Sequence, residues 1–203
     1  MSEIHATLEQ VRTRLNEFIK ASHPRPGDWV ILSNIVDRDG SPYEAARDKL
    51  VMLLTNVRRE TSIGTYNPNV PARAGSYAVT APPLYIDLFV FLYANFAGST
   101  YVEGLGILSD AISFFQRNPL FTRRNLPDLN PAIDKLAFEM TNLDTMELNH
   151  LVGMLGAHYL PSVYYKVRMI PFQSGAMIAE VPPVLRVNPG EMSDEREPAP
   201  GEA

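Results

Sequence analysis

The four histidines are the side chains of this sequence best suited to acid–base or metal chemistry, and one of them has a carboxylate at a ligand-like spacing. Glu147 precedes His150 by three residues, which places a carboxylate and an imidazole one turn apart on a predicted helix. A dimetal site in a helical bundle needs two such pairs, and the sequence has no second pair. We therefore predict no metal ligand here: His150 lies on a helix surface or at the edge of the core, and His158 lies at a helix end.

A second candidate is the segment from Asp37 to Ser41, which superficially resembles a calcium-binding loop. Such a loop needs glycine at its sixth position, where this chain has Pro42. We interpret the segment as a turn held by aspartate side chains.

The motifs of the commonest nucleotide and acyl-transfer sites are missing from the sequence. It has neither a GxxxxGK[ST] loop nor a GxSxG elbow. Gly104 and Gly106 lie inside a helical pattern and are interpreted as packing glycines. Because the chain has no cysteine, a disulfide scaffold, a thiolate zinc site and a cysteine nucleophile are excluded. We predict no catalytic residue, no metal and no cofactor.

Aromatic side chains recur from Phe89 to Phe96 and could stack on nucleic-acid bases. A buried strand explains the same run without a ligand, and we prefer that interpretation.

Two alternative classes of function stay open. One is a small-molecule-binding module with a pocket between sheet and helices, and the other is a metal-dependent enzyme in which Glu147 and His150 converge with other acids.

Composition places the 203-residue chain in the range of one globular domain, with 45 % hydrophobic and 20 % charged residues. Four of the five net negative charges lie in residues 188–203, so the body is close to neutral. Such a body lacks the basic surface that non-specific nucleic-acid binding requires.

No apolar stretch approaches the length of a membrane span and no signal sequence is visible, so we expect a cytoplasmic protein without membrane insertion.

The elements that must position these residues follow from hydrophobic periodicity. A period of three and four predicts helices, while alternation or short apolar runs predict strands. The run from Leu84 to Phe96 is almost continuously apolar, which is typical of a central strand covered on both faces. The predicted fold class is α+β, a mixed, largely antiparallel sheet of about five strands packed with three helices. The predicted helices are 3–21, 100–117 and a short one from Asp144 to Gly156, and the predicted strands are 29–34, 50–57, 84–96, 136–140 and 162–172.

Three further segments are predicted to lie outside regular packing. Residues 58–83 are rich in proline, glycine and asparagine, which predicts a long mobile loop. Residues 173–187 are apolar but contain Pro182 and Pro183, which predicts an extended interaction arm. Residues 188–203 are predicted to be a disordered acidic tail. The predicted organisation is thus a domain at 1–172, an arm at 173–187 and a tail at 188–203.

Three stretches resemble one family in residues, order and spacing. They are Leu32-Ser-Asn-Ile-Val-Asp-Arg-Asp-Gly-Ser41, Ile112-Ser-Phe-Phe-Gln-Arg-Asn-Pro-Leu-Phe-Thr122, and the region from Asn142 through Tyr159-Leu-Pro-Ser-Val-Tyr-Tyr-Lys-Val-Arg-Met169. Over about residues 1–172 the chain resembles the amino-terminal domain of the Pvc16-like cap proteins of extracellular contractile injection systems, which are phage-tail-like particles.

The resemblance implies a structural protein and no enzyme. It implies a tail-terminator-like ring, a homo-hexamer, that closes the distal end of the inner tube and contractile sheath and contacts both of their proteins. The protein would be cytoplasmic during assembly and then lie at the distal end of the particle, which can be released from the cell. In the arm, we expect the apolar side chains to bind a neighbouring subunit or to pack on their own domain, with Ile178, Val181, Val184 and Leu185 as the candidate contacts.

Overall fold

The structure, a computed structural model, describes residues 3–60, 69–71, 77–80, 84–131, 133–172 and 177–181. These residues form three helices and nine strands. The helices are α1 (Glu3–Ser22), α2 (Tyr101–Arg117) and α3 (Thr145–Met154). The strands are β1 (Val30–Leu32), β2 (Lys49–Arg59), β3 (Asn69–Pro71), β4 (Tyr77–Thr80), β5 (Leu84–Asn95), β6 (Leu120–Phe121), β7 (Leu136–Met140), β8 (Ser162–Phe172) and β9 (Met177–Val181).

The chain divides into two compact units. The first unit combines Met1–Gly64 with Pro83–Gln173, and the second combines Thr65–Pro82 with Ser174–Ala203. A six-stranded sheet in the order β1-β2-β5-β8-β7-β6 forms the frame of the first unit. Strand β1 runs parallel to β2, and every other neighbouring pair in this sheet is antiparallel. The predicted α+β class with a mixed, largely antiparallel sheet is confirmed.

Strand β5 lies in the interior of the sheet, as its apolar run predicts. It pairs with β2 on one side and β8 on the other. Alternate side chains of β5 are buried on both faces: Leu88, Val90 and Leu92 belong to one cluster of the core, and Phe91 and Tyr93 to the other. Helices therefore have to cover both faces of the sheet.

Helices α1 and α2 cover the first face. The buried stripe of α1 repeats at intervals of three and four residues, as the sequence predicts. Asn118 caps the end of α2 because its backbone and side-chain amides both donate to the carbonyl of Phe114, and Pro119 follows. The two helices bury the following apolar side chains in this layer: Leu8, Val11, Leu15 and Ile19 from α1, and Ile107, Leu108, Ala111, Phe114 and Phe115 from α2.

Helix α3 covers the second face through Val152, with Leu148 and Leu151 packed beside it. It starts with a capping box formed by Asp144 and Glu147. The Asp144 carboxylate accepts the Glu147 backbone N–H at 2.7 Å, and the Glu147 carboxylate accepts the Asp144 N–H at 2.9 Å. Such a box satisfies two backbone donors that a helix start otherwise leaves without partners.

The prediction of one unbroken loop over 58–83 is wrong. Strand β2 continues to Arg59, and two short strands, β3 and β4, form within the segment. In the second unit these strands make a three-stranded antiparallel sheet in the order β3-β4-β9. Pro71 ends β3 at an edge of this sheet, where a residue without an N–H is tolerated. Periodicity missed both strands because each has only three or four residues.

Candidate assembly interface

The Glu147 and His150 pair, which the sequence analysis considered as half of a metal site, lies on α3. The Glu147 carboxylate is used in the capping box, and His150 is exposed on the helix surface. In the part of the chain that the structure describes, no three histidine, aspartate or glutamate side chains group as a metal site would require. Glu147 therefore stabilises the start of α3, and His158 lies exposed just past the end of this helix.

The segment from Asp37 to Ser41 forms the predicted turn. The Oδ1 atom of Asp39 accepts the Ser41 N–H at 2.9 Å and the Ser41 hydroxyl at 2.7 Å, and these bonds lower the pKa of Asp39. Gly40 has φ +83°, a left-handed conformation that glycine adopts without strain. The Asp39 side chain and the Asp37 backbone thus hold the chain reversal.

The aromatic run of β5 belongs to the core, as predicted. Phe91, Tyr93 and Phe96 are buried, and Phe89 stacks on Tyr164 with the ring centroids 5.8 Å apart. The Tyr93 hydroxyl donates to the backbone carbonyl of His158, which ties β5 to the segment after α3. These rings are used in packing, so they offer no stacking platform.

A charged cluster that the sequence analysis missed lies near one end of strands β2, β5 and β8. Glu60 and Asp87 are buried, with 7 % and 3 % of their surface exposed. Arg168 binds Glu60 at 2.8 Å and Glu139 at 3.4 Å, and Lys166 binds Asp87 at 2.9 Å. Burial raises the pKa of Asp87 although Lys166 opposes the rise, and the hydrogen bond from Arg168 to Glu60 raises the pKa of Arg168. A single aspartate inside an apolar strand was the signal that could have revealed the cluster.

Polar side chains of α1 bind backbone groups at the edge of β1. The Asn16 Oδ1 atom accepts the backbone N–H groups of Trp29 at 2.8 Å and Val30 at 3.2 Å, and Arg12 donates to the Val30 carbonyl at 3.2 Å. Asp28 accepts hydrogen bonds from Lys20 and Asn16, and these lower its pKa, the Lys20 bond contributing most. These bonds satisfy the outward N–H and carbonyl groups of Val30, so this part of the β1 edge is not available to a further strand.

Exposed apolar side chains concentrate around α3. Met146, Met154 and Tyr159 have 68 %, 79 % and 68 % of their surface exposed. A groove of about 710 Å³ runs along α3 between Met146 and Tyr159, with Leu148 and Val152 in its lining. A smaller groove of about 300 Å³ on another side of Leu148 includes Met140, which is 50 % exposed. Large exposed apolar groups in one region are typical of protein–protein contacts.

Helix α2 also turns apolar side chains to solvent. Val102 is 76 % exposed, and Tyr101 and Leu105 are about 40 % exposed. Val102 lies on the side of α2 opposite its buried stripe, and Tyr101 and Leu105 lie along the border of that stripe. The structure therefore presents apolar surfaces on both sides of the six-stranded sheet.

The candidate arm contacts fall in and beyond β9. Ile178 and Val181 lie in β9, which pairs antiparallel with β4 so that Val181 is opposite Tyr77. The register shifts near Ile178, between Val79 and Thr80 of the partner strand. Within the described residues β9 pairs with a strand on one side only. Val184 and Leu185 lie outside the described residues, as does the predicted tail at 188–203.

These features define an α+β domain with uncovered apolar helix faces, the surface character of a protein that assembles with other proteins. Among the helices that the structure describes, none is long and apolar enough to cross a membrane.

The chain belongs to the Pvc16 N-terminal domain family, whose model matches residues 6–186. The resemblance inferred from the three sequence stretches is confirmed. No curated protein sequence matches the chain.

The solved structures that share the fold include the following two. One is the sheath/tube terminator of the PVC extracellular contractile injection system in its extended state, with a TM-score of 0.64 and 12 % identity over 98 % of this chain and 65 % of that chain. The other is the tube-terminating cap of the anti-feeding prophage, with a TM-score of 0.55 and 13 % identity over 88 % of this chain and 59 % of that chain. The present chain thus spans less than two thirds of the length of either relative.

Proposed function

We propose that this protein is a structural cap that terminates the inner tube and contractile sheath of an extracellular contractile injection system. The observation that carries the proposal is the family match over residues 6–186, together with a fold shared over 98 % of the chain with a sheath/tube terminator. The exposed apolar faces of α2 and α3 support an assembly role. No reaction is part of the proposal.

In the proposed assembly six copies form a ring. A ring of this kind contacts its own neighbours laterally and offers one face to the last ring of tube and sheath subunits, so that weak contacts add through multivalency. The ring assembles in the cytoplasm and then stays at the distal end of the particle. Its partners are the tube and sheath proteins.

Deletion of the gene tests the cap role. Particles made without the protein should have tubes and sheaths of uncontrolled length or unstable ends, and the wild-type gene supplied in trans should restore uniform length. Electron microscopy of purified particles gives the length distribution, and a label on the protein gives its position. Normal length, stability and yield after deletion would contradict the proposal.

We further propose that the arm, residues 173–187, contributes a contact to a neighbouring subunit. The support is the position of Ile178 and Val181 in a strand paired on one side within the described residues, because an open strand edge can accept another strand. Val184 and Leu185 extend the same apolar segment.

Two truncations separate the arm from the tail. Removal of residues 188–203 should leave melting and incorporation into particles unchanged, since this acidic segment offers little apolar surface to bury. Removal of residues 173–203 should weaken incorporation while the shortened chain still melts cooperatively. A large loss of thermal stability would instead assign the arm to the chain's own fold, and unchanged incorporation and melting would exclude both roles.

A further inference from the structure

A layer of charged side chains crosses four neighbouring strands on the second face of the six-stranded sheet. Its centre is Asp87, which points to this face because Ile86 and Leu88 on either side of it are buried in the first. Among the described residues, the other charged groups of the layer are Arg58 and Glu60 from β2 and its end, Lys166 and Arg168 from β8, and Glu139 from β7. The layer is formally neutral when all of these groups are ionised.

Two of the carboxylates, Glu60 and Asp87, are buried close together. The Nζ atom of Lys166 lies 2.9 Å from Oδ2 of Asp87, and Nη2 of Arg168 lies 2.8 Å from Oε2 of Glu60. The Glu60 carboxylate also lies within hydrogen-bonding reach of Asp87. Two ionised carboxylates at this distance repel each other, and the two cations only partly offset that repulsion.

The two oxygen atoms of Asp87 have different surroundings. Oδ2 binds Lys166, but Oδ1 is buried and no donor among the described residues reaches it. A buried carboxylate oxygen without a donor is costly. A proton on Asp87 removes the cost, because the neutral carboxyl is itself a donor and Glu60 is an acceptor. Arg168 donates to Oε2 of Glu60 from both Nε and Nη2, which favours Glu60 as the partner that stays ionised.

The backbone connects both acids to the pairing of neighbouring strands. The Glu60 N–H donates to the Tyr85 carbonyl at 2.9 Å, which continues the pairing of β2 with β5. On the other side of β5, two residues of β8 lie opposite Asp87, and one of them is Arg168. A bulge of this kind bends the strand and re-aims its side chains, and here Arg168 reaches across β5 to Glu60. The charge of Asp87 therefore acts on the contacts among β2, β5 and β8.

We propose that Asp87 and Glu60 form one proton-binding site that acts as a pH-operated lock between β5 and the end of β2. In the open form both acids are ionised and are held by Lys166 and Arg168. In the closed form Asp87 has taken one proton from the solvent and donates it to the Glu60 carboxylate, so a hydrogen bond replaces the repulsion.

The direction of the response follows from the surroundings of Asp87. Burial raises the pKa of Asp87 most, the Glu60 carboxylate adds to the rise, and Lys166 opposes it. Because the folded chain then binds the proton more readily than the unfolded chain, acidification through the raised pKa closes the lock and stabilises the fold. The lock is a property of the single chain and does not depend on the cap role.

Carbon-13 NMR of the labelled full-length chain measures the proton site directly. On acidification the Cγ signal of Asp87 and the Cδ signal of Glu60 should move in the same step, since they share one proton. That step should lie at higher pH than the step of Asp28, whose pKa is lowered.

Two matched substitutions separate the acid pair from the rest of the layer. Glu60→Gln should move the Asp87 step to lower pH, because the repelling charge and the ionised acceptor are both removed. Glu139→Gln is the control, since Glu139 also binds Arg168 but has no part in the raised pKa of Asp87. In this control the Asp87 step should stay where it is in the parent chain.

Hydrogen exchange of the Glu60 backbone N–H measures the lock itself. After correction for the intrinsic effect of pH on exchange, its protection should rise as the pH falls through the Asp87 step. In Asp87→Asn the side chain is neutral at every pH and can donate to Glu60, so protection should be high and independent of pH. Thermal melts show whether each variant is folded.

Three results would overturn the lock. An Asp87 step that is the same in the parent and in Glu60→Gln would mean that burial alone sets its protonation. Equal shifts in Glu60→Gln and Glu139→Gln would assign the effect to the general charge of the layer. Constant protection of the Glu60 N–H through the Asp87 step would show that the proton does not tie β2 to β5. This last measurement needs only the parent chain, so it decides the question even when Glu60→Gln does not fold.

Discussion

Two glycines of α2, separated by one residue, should respond to the same substitution with opposite signs. An alanine Cβ at Gly104 would lie 2.6 Å from Cβ and 2.7 Å from Cγ of Phe96, while one at Gly106 would meet no atom within 4 Å. Phe96 is 1 % exposed, and its Cβ is fixed to the backbone at the end of β5. The contact cannot be relieved by rotation of a side-chain tip.

Two effects determine how much each substitution changes the free energy of unfolding. Alanine is favoured over glycine in a helix by about 1 kcal/mol, and this gain applies to both sites. Overpacking in a filled core costs about 1–3 kcal/mol, and the upper end suits Gly104 because helix or strand must move. Gly104→Ala should therefore lower the free energy of unfolding by about 2 kcal/mol, whereas Gly106→Ala should raise it by about 1 kcal/mol. In a chain of this size the difference corresponds to roughly 6–12 °C in Tm.

Thermal and urea unfolding, monitored by circular dichroism, measure both variants against the parent chain. In a Phe96→Ala background the penalty of Gly104→Ala should shrink, because Cγ and Cδ2, two of the three closest atoms, are gone. Equal stability of the two alanine variants would refute the reasoning, since it would mean that α2 and β5 separate at little cost.

Three substitutions test the polar groups of the first unit. Asn16→Ala should lower the free energy of unfolding in urea by about 2 kcal/mol or more, because the buried N–H groups of Trp29 and Val30 lose their acceptor at about 1–3 kcal/mol each. A loss under about 0.5 kcal/mol would contradict this prediction. Asp28 has a lowered pKa, so its carboxylate stabilises the fold above the ordinary aspartate pKa and loses that effect as pH falls through the folded value. Asp28→Asn should thus be destabilising at neutral pH and progressively less so on acidification, and a constant difference between the two chains would be inconsistent. Burial raises the pKa of Asp87, so the parent chain should gain stability relative to Asp87→Asn as the pH falls through the raised pKa of the folded state. A difference in the free energy of unfolding between the two chains that does not change with pH would count against the burial argument.

Periodicity predicted the helices and the long strands of the first unit because those elements are amphipathic or continuously buried. The Asp144 capping box was predictable for a similar reason, since both of its partners lie within one helical turn. Strand β6 has only two residues, and its pairing with β7 depends on register across the sheet. The pairing of Asp87 with Lys166 likewise joins residues far apart in sequence, so no local pattern could indicate it.

The candidate interface was less accessible to sequence analysis than the fold. Val102 belongs to the same periodic apolar pattern as Leu108, and only the position of the sheet shows that one faces solvent and the other is nearly buried. The Gly104 and Gly106 pair was interpreted as packing glycines, which is confirmed for Gly104 and wrong for Gly106 within its own chain. Hydrophobic periodicity cannot separate a core contact from an intermolecular one, because both use the same side chains.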